Sequence, residues 1–266
     1  MERDALGGAD VRAVLFDVNG TLVHILTEDG ADDVFRAAGH YLTYQGIDVR
    51  RDELRDPYFA MMRAQRMLSP HRHPEFDAVG IWRIIVERHA TAYTRSLPAA
   101  KREQIPLFLA ELTRGVARRR LKPYPNVPEV LERLRRAFPL AVVTDAQSAW
   151  ARAELHQVGL LDFFDPVVVS GDHGFRKPDP RLFALALDSL GVCPEQALYV
   201  GNDMYRDVYG ASRLGMTTVM FASDQGVKEY EDAVPDLTIT DHRELLGILG
   251  LDPLDPLDPP GQSTSW

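Results

Sequence analysis

Four short segments of this chain carry residues whose types and spacing can transfer a phosphoryl group. Asp17 opens the run Asp17-Val18-Asn19-Gly20-Thr21-Leu22 directly after the apolar stretch Ala13-Val14-Leu15-Phe16. Its carboxylate should therefore emerge at the carboxyl end of a buried strand, where the Gly-Thr step permits a tight turn. A carboxylate so placed can attack phosphorus and carry an aspartyl phosphate. The second segment, Val142-Val143-Thr144-Asp145-Ala146, ends a strand in a hydroxyl followed by backbone N–H groups. Thr144 and the N–H groups of Asp145 and Ala146 can hold equatorial phosphoryl oxygens. The third, Arg176-Lys177-Pro178-Asp179-Pro180, sets Lys177 just before a proline-started helix, where its ammonium can neutralise charge on the phosphoryl group and on Asp17. The fourth is Tyr199-Val200-Gly201-Asn202-Asp203, with Asp207 one turn into the next helix. A hard cation, Mg2+, would be held by Asp17, by the carbonyl of Asn19 and by the Asn202, Asp203 and Asp207 group. Phosphoryl transfer is catalysed mainly by positioning and charge stabilisation, and each segment supplies one of those needs.

Segments so far apart in sequence meet only if their strands end on a common edge. Apolar runs at Val14 to Phe16, Leu140 to Thr144, Pro166 to Ser170, Leu198 to Val200 and Thr217 to Phe221 read as strands. Amphipathic segments Ala149 to Val158, Pro180 to Leu190 and Tyr205 to Leu214 fall between the last four. This alternation predicts an α/β core with a doubly wound, mostly parallel, Rossmann-like sheet. In such sheets ligands bind beyond the carboxyl ends of the strands, which gathers Asp17, Thr144, the Gly171 to Lys177 loop, Asn202 and Asp203. From about Val23 to Leu121 the spacing is helical, with no convincing strand, and predicts about four helices inserted as a cap. The aromatic and methionine residues of that interval read as cap core. The expected boundaries are 10–23 and 121–248 for the core, 24–120 for the helical cap and 249–266 for a tail. In the tail, a repeated Leu-Asp-Pro starting at Leu251 forbids helix and sheet ladders.

Taken jointly, the four segments, their order and the helical insertion resemble the haloacid dehalogenase superfamily, in its subgroup with a helical (C1-type) cap between the first two motifs, over roughly residues 10 to 245. The resemblance implies that Asp17 is the nucleophile, Thr144 the phosphate-binding hydroxyl, Lys177 the charge-stabilising lysine, and the cluster after Val200 the metal-binding motif. It implies a Mg2+-dependent phosphatase of a small phosphorylated metabolite. Two positions depart from the pattern. The family's phosphatases carry an aspartate at the position of Asn19, where it protonates the leaving group and then activates water. An amide keeps the backbone carbonyl but exchanges no proton near neutral pH, and such a group typically contributes about 10²- to 10⁴-fold in rate. The family's dehalogenases have a tyrosine there and its phosphonatases an alanine, so neither chemistry is indicated. In the fourth motif an aspartate usually follows the glycine, whereas here Asn202 intervenes. Either Asp203 shifts into the coordinating role or Asn202 coordinates through its amide oxygen. The main expectation is a hydrolase that favours acyl phosphates or phosphoanhydrides, whose leaving groups need no protonation. A second is a catalytically silent relative that binds a phosphorylated ligand or a protein partner. A third is deamidation of Asn19 to aspartate through the exposed Asn-Gly step.

Composition narrows the alternatives. A chain of 266 residues can bury one sizeable α/β core plus an insertion. Its formal charge of -9 disfavours nucleic acid or an anionic membrane as partner. The single cysteine, Cys193, excludes an internal disulfide and a multi-cysteine metal site, and its loop context reads as an inert thiol. Met1 to Asp10 contain no apolar leader and no later run reaches a membrane span, which points to the cytoplasm. His71 and His73 read as a solvated cap loop, Asp145 as a turn or surface residue, and Arg118-Arg119-Arg120 with Lys122 as a solvated basic face.

Overall fold

The run Ala13–Phe16 offers no polar side chain to water, and it forms β1 inside the sheet with all its residues buried. The computed structural model describes residues 10–50 and 53–251. After β1 come β2 (Val23–Thr27) and five helices, α1 (Asp32–Tyr44), α2 (Arg55–Leu68), α3 (Ala78–Arg88), α4 (Ala92–Ser96) and α5 (Ala99–Ala117). The chain returns through β3 (Arg118–Pro123) to α6 (Val127–Ala137), β4 (Leu140–Thr144), α7 (Ala151–Gln157), β5 (Val167–Val169), α8 (Pro180–Leu190) and β6 (Ala197–Gly201). A π-type turn over Met204–Tyr209 leads into the short α9 (Gly210–Ser212), then β7 (Thr217–Phe221), β8 (Leu237–Ile239) and α10 (Glu244–Ile248).

The six core strands are ordered β5-β4-β1-β6-β7-β8. Every pairing between them is parallel, so the predicted doubly wound sheet is the one formed. The chain fills one side of β1 and then crosses to the other, so the winding reverses beside β1. Asp17, Thr144 and Asn202 thus leave the adjacent strands β1, β4 and β6 on one edge, where α/β sheets bind ligands. Alternate residues serve opposite faces. Val14, Phe16 and Val142 pack with Val130, Leu131 and Leu134 of α6, whereas Leu15, Ala141 and Val143 pack with Leu182 and Phe183 of α8. Both faces are covered, which is why these strands read as continuous apolar runs.

The helical insertion has a separate apolar core that includes Leu42, Ile81, Trp82, Ile85 and Leu109. Its two junctions with the sheet correct the expectation that this interval holds no strand. β2 and β3 pair antiparallel, from Val23 opposite Pro123 to Leu26 opposite Arg120. The sequence hides this pair because Arg118-Arg119-Arg120 carries no alternation of apolar and polar residues; its partner strand sets its conformation. Arg119, Arg120 and Lys122 are exposed, as the solvated basic face requires, but two of the arginines are paired with carboxylates. Arg118 lies 3.5 Å from Glu154, and Arg119 lies 2.8 Å from Glu28 and 2.9 Å from Asp33. β8 also escaped prediction: unlike the equally short but wholly apolar β5, its Leu-Thr-Ile is interrupted by an exposed threonine and offers no continuous apolar run. Among the described residues no helix is long and apolar enough to cross a membrane. Cys193 is exposed in a loop, and the Leu-Asp-Pro tail beyond Leu251 and residues 1–9 lie outside the described residues.

His242 gives the fold an expected acid sensitivity. It is 2% exposed and packs against Phe221 at 4.3 Å between ring centroids, the rings tilted by 45°. Burial lowers its pKa from 6.5 to about 4, although Asp241 and a hydrogen bond with the Thr21 backbone oppose the shift. The imidazole is neutral in the folded chain, while the unfolded chain protonates it below its ordinary value. Stability is therefore complete above that value and falls as pH drops towards about 4, by about 3 kcal/mol for this one group. Urea unfolding at about pH 7.5 and about pH 5 should show the loss, and His242→Gln should flatten this part of the profile.

Candidate active site

The sheet ladder itself places the carboxylate of Asp17. The Asp17 N–H donates to the Val200 carbonyl at 2.9 Å, so the side chain leaves β1 beside the end of β6. Lys177 reaches it from the loop between β5 and α8. Its Nζ lies 2.7 Å from Asp17 Oδ1, 2.6 Å from Asp207 Oδ1 and 3.0 Å from the Tyr199 hydroxyl. The lysine side chain is 2% exposed. Burial opposes its charge, but the carboxylates of Asp17 and Asp207 outweigh that penalty and raise its pKa well above the ordinary lysine value. The ammonium is therefore a fixed cation at neutral pH. Tyr199, which the sequence presents as one more residue of an apolar strand, completes this group. Its hydroxyl also lies 3.1 Å from the Val143 carbonyl, and burial raises its pKa, so it stays protonated.

Thr144 ends β4 at 2% exposure, and its hydroxyl is buried without a hydrogen-bond partner among the described residues. Such a group costs about 1–3 kcal/mol unless something pairs with it. Asp145 is not the turn or surface residue expected from the sequence. Its side chain is 4% exposed, accepts the Lys177 N–H at 2.9 Å and lies 3.3 Å from Arg176 Nε. It clamps the lysine loop onto β4, a relation between residues 32 positions apart that no local pattern announces. The Ala146 N–H is already donated to Ser170 Oγ at 3.0 Å, so this donor of the loop is committed, whereas the Thr144 hydroxyl is not.

In the fourth segment the two candidate ligands part company. Asp203 caps the following turn, accepting from the N–H groups of Tyr205 at 3.1 Å, Arg206 at 2.8 Å and Val227 at 3.0 Å, and pairing with the Arg206 guanidinium at 2.7 Å. Burial works against its charge, but Arg206 and these N–H groups hold its pKa below the usual carboxylate range. Asn202, 1% exposed, instead turns towards Asp17: its Oδ1 accepts from the Thr21 hydroxyl at 3.1 Å, and Thr21 also reaches Asp17 Oδ2 at 3.3 Å. Asp207 gives one oxygen to Lys177 and the other to the N–H groups of Asn202 and Asp203, each at 3.0 Å. Among the described residues no three His, Cys, Asp or Glu side chains converge as a metal group. The candidate ligands that remain after Asp203 and Asp207, namely the Asp17 carboxylate and the carbonyl oxygens of Asn19 and Asn202, are all oxygen donors with one formal charge among them, a set that fits a hard cation keeping several waters.

Gly20 makes the close approach of these loops possible. Its φ is +85°, and a Cβ there would collide with the side-chain amide of Asn202. The Gly20 N–H, the nitrogen through which an Asn19 succinimide would close, donates to the Val23 carbonyl at 2.8 Å. Asn19 faces a cavity of about 340 Å3 between the sheet edge and the insertion, together with Asp145 and Arg176 of the core and Tyr58, Glu75 and Trp82 of the insertion. A loop of the insertion is strapped to the core over this cavity. Arg176 N–H donates to the His73 carbonyl at 2.8 Å, Glu75 N–H to the Gly174 carbonyl at 2.9 Å, and Gln147 Nε2 to the Phe76 carbonyl at 2.7 Å. His71 and His73 therefore sit at a junction rather than in a solvated loop, with ring nitrogens 3.3 Å from Arg181 and from the Tyr205 hydroxyl. Glu75, which no motif signals, accepts from Ser170 Oγ at 2.8 Å; burial raises its pKa against the pull of Arg176.

A haloacid dehalogenase-like hydrolase family model matches residues 11–215. The chain is 32% identical over 251 residues to a phosphoserine phosphatase of Thermus thermophilus, covering 88% of this chain and 98% of that one. It is 40% identical over 134 residues to a glyceraldehyde 3-phosphate phosphatase of Methanopyrus kandleri, covering 48% of this chain and 57% of the relative. Its fold is shared with a 2-haloacid dehalogenase from Pseudomonas syringae pv. Tomato, at a TM-score of 0.64, 22% identity and coverage of 90% and 98% of the two chains.

Proposed function

The chain belongs to the haloacid dehalogenase-like hydrolases, and from that premise we propose that it hydrolyses a small phosphorylated metabolite through an aspartyl phosphate on Asp17. The observation that carries this reading is the buried Lys177 ammonium 2.7 Å from Asp17, together with the Thr144 hydroxyl at the end of the adjacent strand, which has no partner among the described residues. Its relatives named as phosphoserine and glyceraldehyde 3-phosphate phosphatases support a phosphate ester as substrate. In this reading residues 24–120 act as the cap and residues 10–23 with 121–248 as the catalytic core.

Asp17 attacks phosphorus while the bond to the leaving oxygen breaks, and that oxygen departs with the bonding pair. Thr144 donates to an equatorial oxygen, and Lys177 offsets charge that grows there. Water then attacks phosphorus, the bond to Asp17 breaks, and phosphate leaves with both protons of the water. Asp17, the Asn19 carbonyl and Asn202 would hold Mg2+, which would add positive charge against the phosphoryl oxygens. Asp203 is assigned to capping and Asp207 to holding Lys177.

Asn19 bears on the first step, because it cannot protonate a departing oxygen. Acetyl phosphate should be turned over faster than a simple alkyl phosphate. Asn19→Asp should raise alkyl ester turnover by about 10²- to 10⁴-fold and change acetyl phosphate turnover little. Steady-state rates on both proteins check this, and a wild type clearly faster on the alkyl ester would sink the assignment.

A further inference from the structure

Two loops carry the phosphoryl-binding side chains, and one segment of the insertion holds both. The first loop follows β4 with Asp145 and Ala146; the second, between β5 and α8, ends in Lys177. Residues 73–78 of the insertion lie along them. The His73 carbonyl accepts the Arg176 N–H at 2.8 Å, the Glu75 N–H donates to the Gly174 carbonyl at 2.9 Å, and Pro74 bridges antiparallel to Phe175. On the first loop, Gln147 accepts the Ala78 N–H at 2.9 Å and donates to the Phe76 carbonyl at 2.7 Å.

Within this segment one side chain is out of keeping with its surroundings. Glu75 alone among the insertion's described acidic residues is buried, its side chain 4% exposed, and the Arg66 guanidinium of α2 stands 3.8 Å off, beyond a hydrogen bond. A buried carboxylate is costly unless donors reach it. Here Oε1 accepts the Phe76 N–H at 3.0 Å and Oε2 the Ser170 hydroxyl at 2.8 Å. Ser170, fully buried, accepts the Ala146 N–H at 3.0 Å in its turn. Its single hydrogen has two acceptors in reach, Glu75 Oε2 at 2.8 Å and the Ala146 carbonyl at 3.1 Å. The nearer and charged one takes it, which leaves the Ser170 lone pairs to Ala146. Two hydrogen bonds therefore join Glu75 to the backbone of Ala146, two residues past Thr144. The residue between, Asp145, accepts the Lys177 N–H at 2.9 Å, so the second loop follows the first.

Resting on the hydrolase reading above, we propose that Glu75 is a positioning residue for phosphoryl transfer: through Ser170 it fixes the backbone of Ala146, and with it the placement of Thr144 and Lys177 against Asp17. It neither attacks phosphorus nor moves a proton. An amide can take its place, because Nε2 can donate to the Ser170 hydroxyl while Oε1 accepts the Phe76 N–H. The Ser170 hydrogen then turns to the Ala146 carbonyl, and the Ala146 N–H keeps its acceptor. A methyl group offers neither bond.

Turnover of acetyl phosphate with Mg2+, read beside thermal melts, tests this on wild type, Glu75→Ala, Glu75→Gln, Ser170→Ala and the double variant with both alanines. Glu75→Ala should lower kcat by about 10- to 10²-fold well below its melting temperature, the effect of a misplaced catalytic group, whereas Glu75→Gln should stay within about threefold of wild type. Ser170→Ala should reproduce the loss, and the double variant should lose no more than either single one, because both break one path. Three results overturn the proposal. Glu75→Ala with a lower melting temperature and unchanged kcat would show a purely structural role. Glu75→Gln as slow as Glu75→Ala would make the carboxylate's charge or proton the active feature. Losses that multiply in the double variant would show that Ser170 is not the link. Should Glu75→Ala fail to fold, an unchanged kcat in Ser170→Ala decides against the proposal equally. Wild type without turnover removes the hydrolase reading itself, and the positioning role with it.

Discussion

Asp17→Asn is expected to lower kcat by about 10⁴-fold or more, a barrier increase of about 5.5 kcal/mol, without unfolding the protein. An amide oxygen is a poor nucleophile, and the phosphoryl group has no other carboxylate to attack it. The other acidic residues around the site are already engaged: Asp207 with Lys177 and two N–H groups, Asp203 with Arg206 and three N–H groups, Asp145 with Arg176 and the Lys177 N–H, and Glu75 with Ser170. The fold should survive because asparagine is nearly the same shape, its Oδ1 still accepts from Lys177, and Lys177 keeps Asp207 at 2.6 Å. Turnover of acetyl phosphate with Mg2+, read beside a thermal melt, separates the outcomes. Metal-dependent wild-type activity abolished by the substitution excludes a silent ligand-binding protein. Activity that persists in a folded Asp17→Asn protein removes Asp17 as nucleophile.

Lys177→Met is expected to cost both activity and stability. The side chain holds Asp17 Oδ1 and Asp207 Oδ1 at 2.7 Å and 2.6 Å with 2% exposure, so its removal leaves two buried carboxylates facing each other without a cation. Breaking a buried ion group in this way costs about 3–5 kcal/mol, or on the order of 10 °C in Tm for a chain of this length. The pH dependence identifies the cause. Burial already raises the pKa of Asp207 against the attraction of Lys177, and losing that attraction raises it further. A carboxyl whose folded pKa lies above its unfolded value binds more protons when folded, so the variant gains stability as pH falls. Melting curves should therefore narrow the gap to wild type on acidification; a gap that is constant with pH would point to lost packing rather than charge.

The legible part of the chain is the part in which neighbouring residues share one environment. β4 at Leu140–Thr144, β7 at Thr217–Phe221 and α8 at Pro180–Leu190 fall at their predicted bounds, because both faces of the strands are covered and Asp179 with Pro180 starts the helix. β3 was illegible because its arginines satisfy themselves with Glu154, Glu28 and Asp33 from other elements. The fourth motif shows the same limit within one dipeptide. Asn202 and Asp203 are equal candidates in sequence, yet successive side chains leave a strand end in opposite directions, so one meets Thr21 and the other Arg206. Tyr199, Glu75 and the clamp by Asp145 were out of reach for a related reason: each acts on a residue brought close by a parallel crossover or by the insertion.

By itself the sequence determined the α/β class, the strand ends that carry Asp17 and Thr144, the loop before α8 that carries Lys177, and the asparagine in place of a carboxyl at position 19. These depend on residue type and on periods of two or 3.6, which are local quantities. Only the tertiary structure decided that Lys177 is shared by Asp17 and Asp207, that Asn202 rather than Asp203 approaches Asp17 through Thr21, that the Thr144 hydroxyl is buried without a partner among the described residues, and that a cavity with an aromatic wall adjoins Asn19. Those depend on distances between residues far apart in the chain and on which buried groups remain without partners, and both are set by packing.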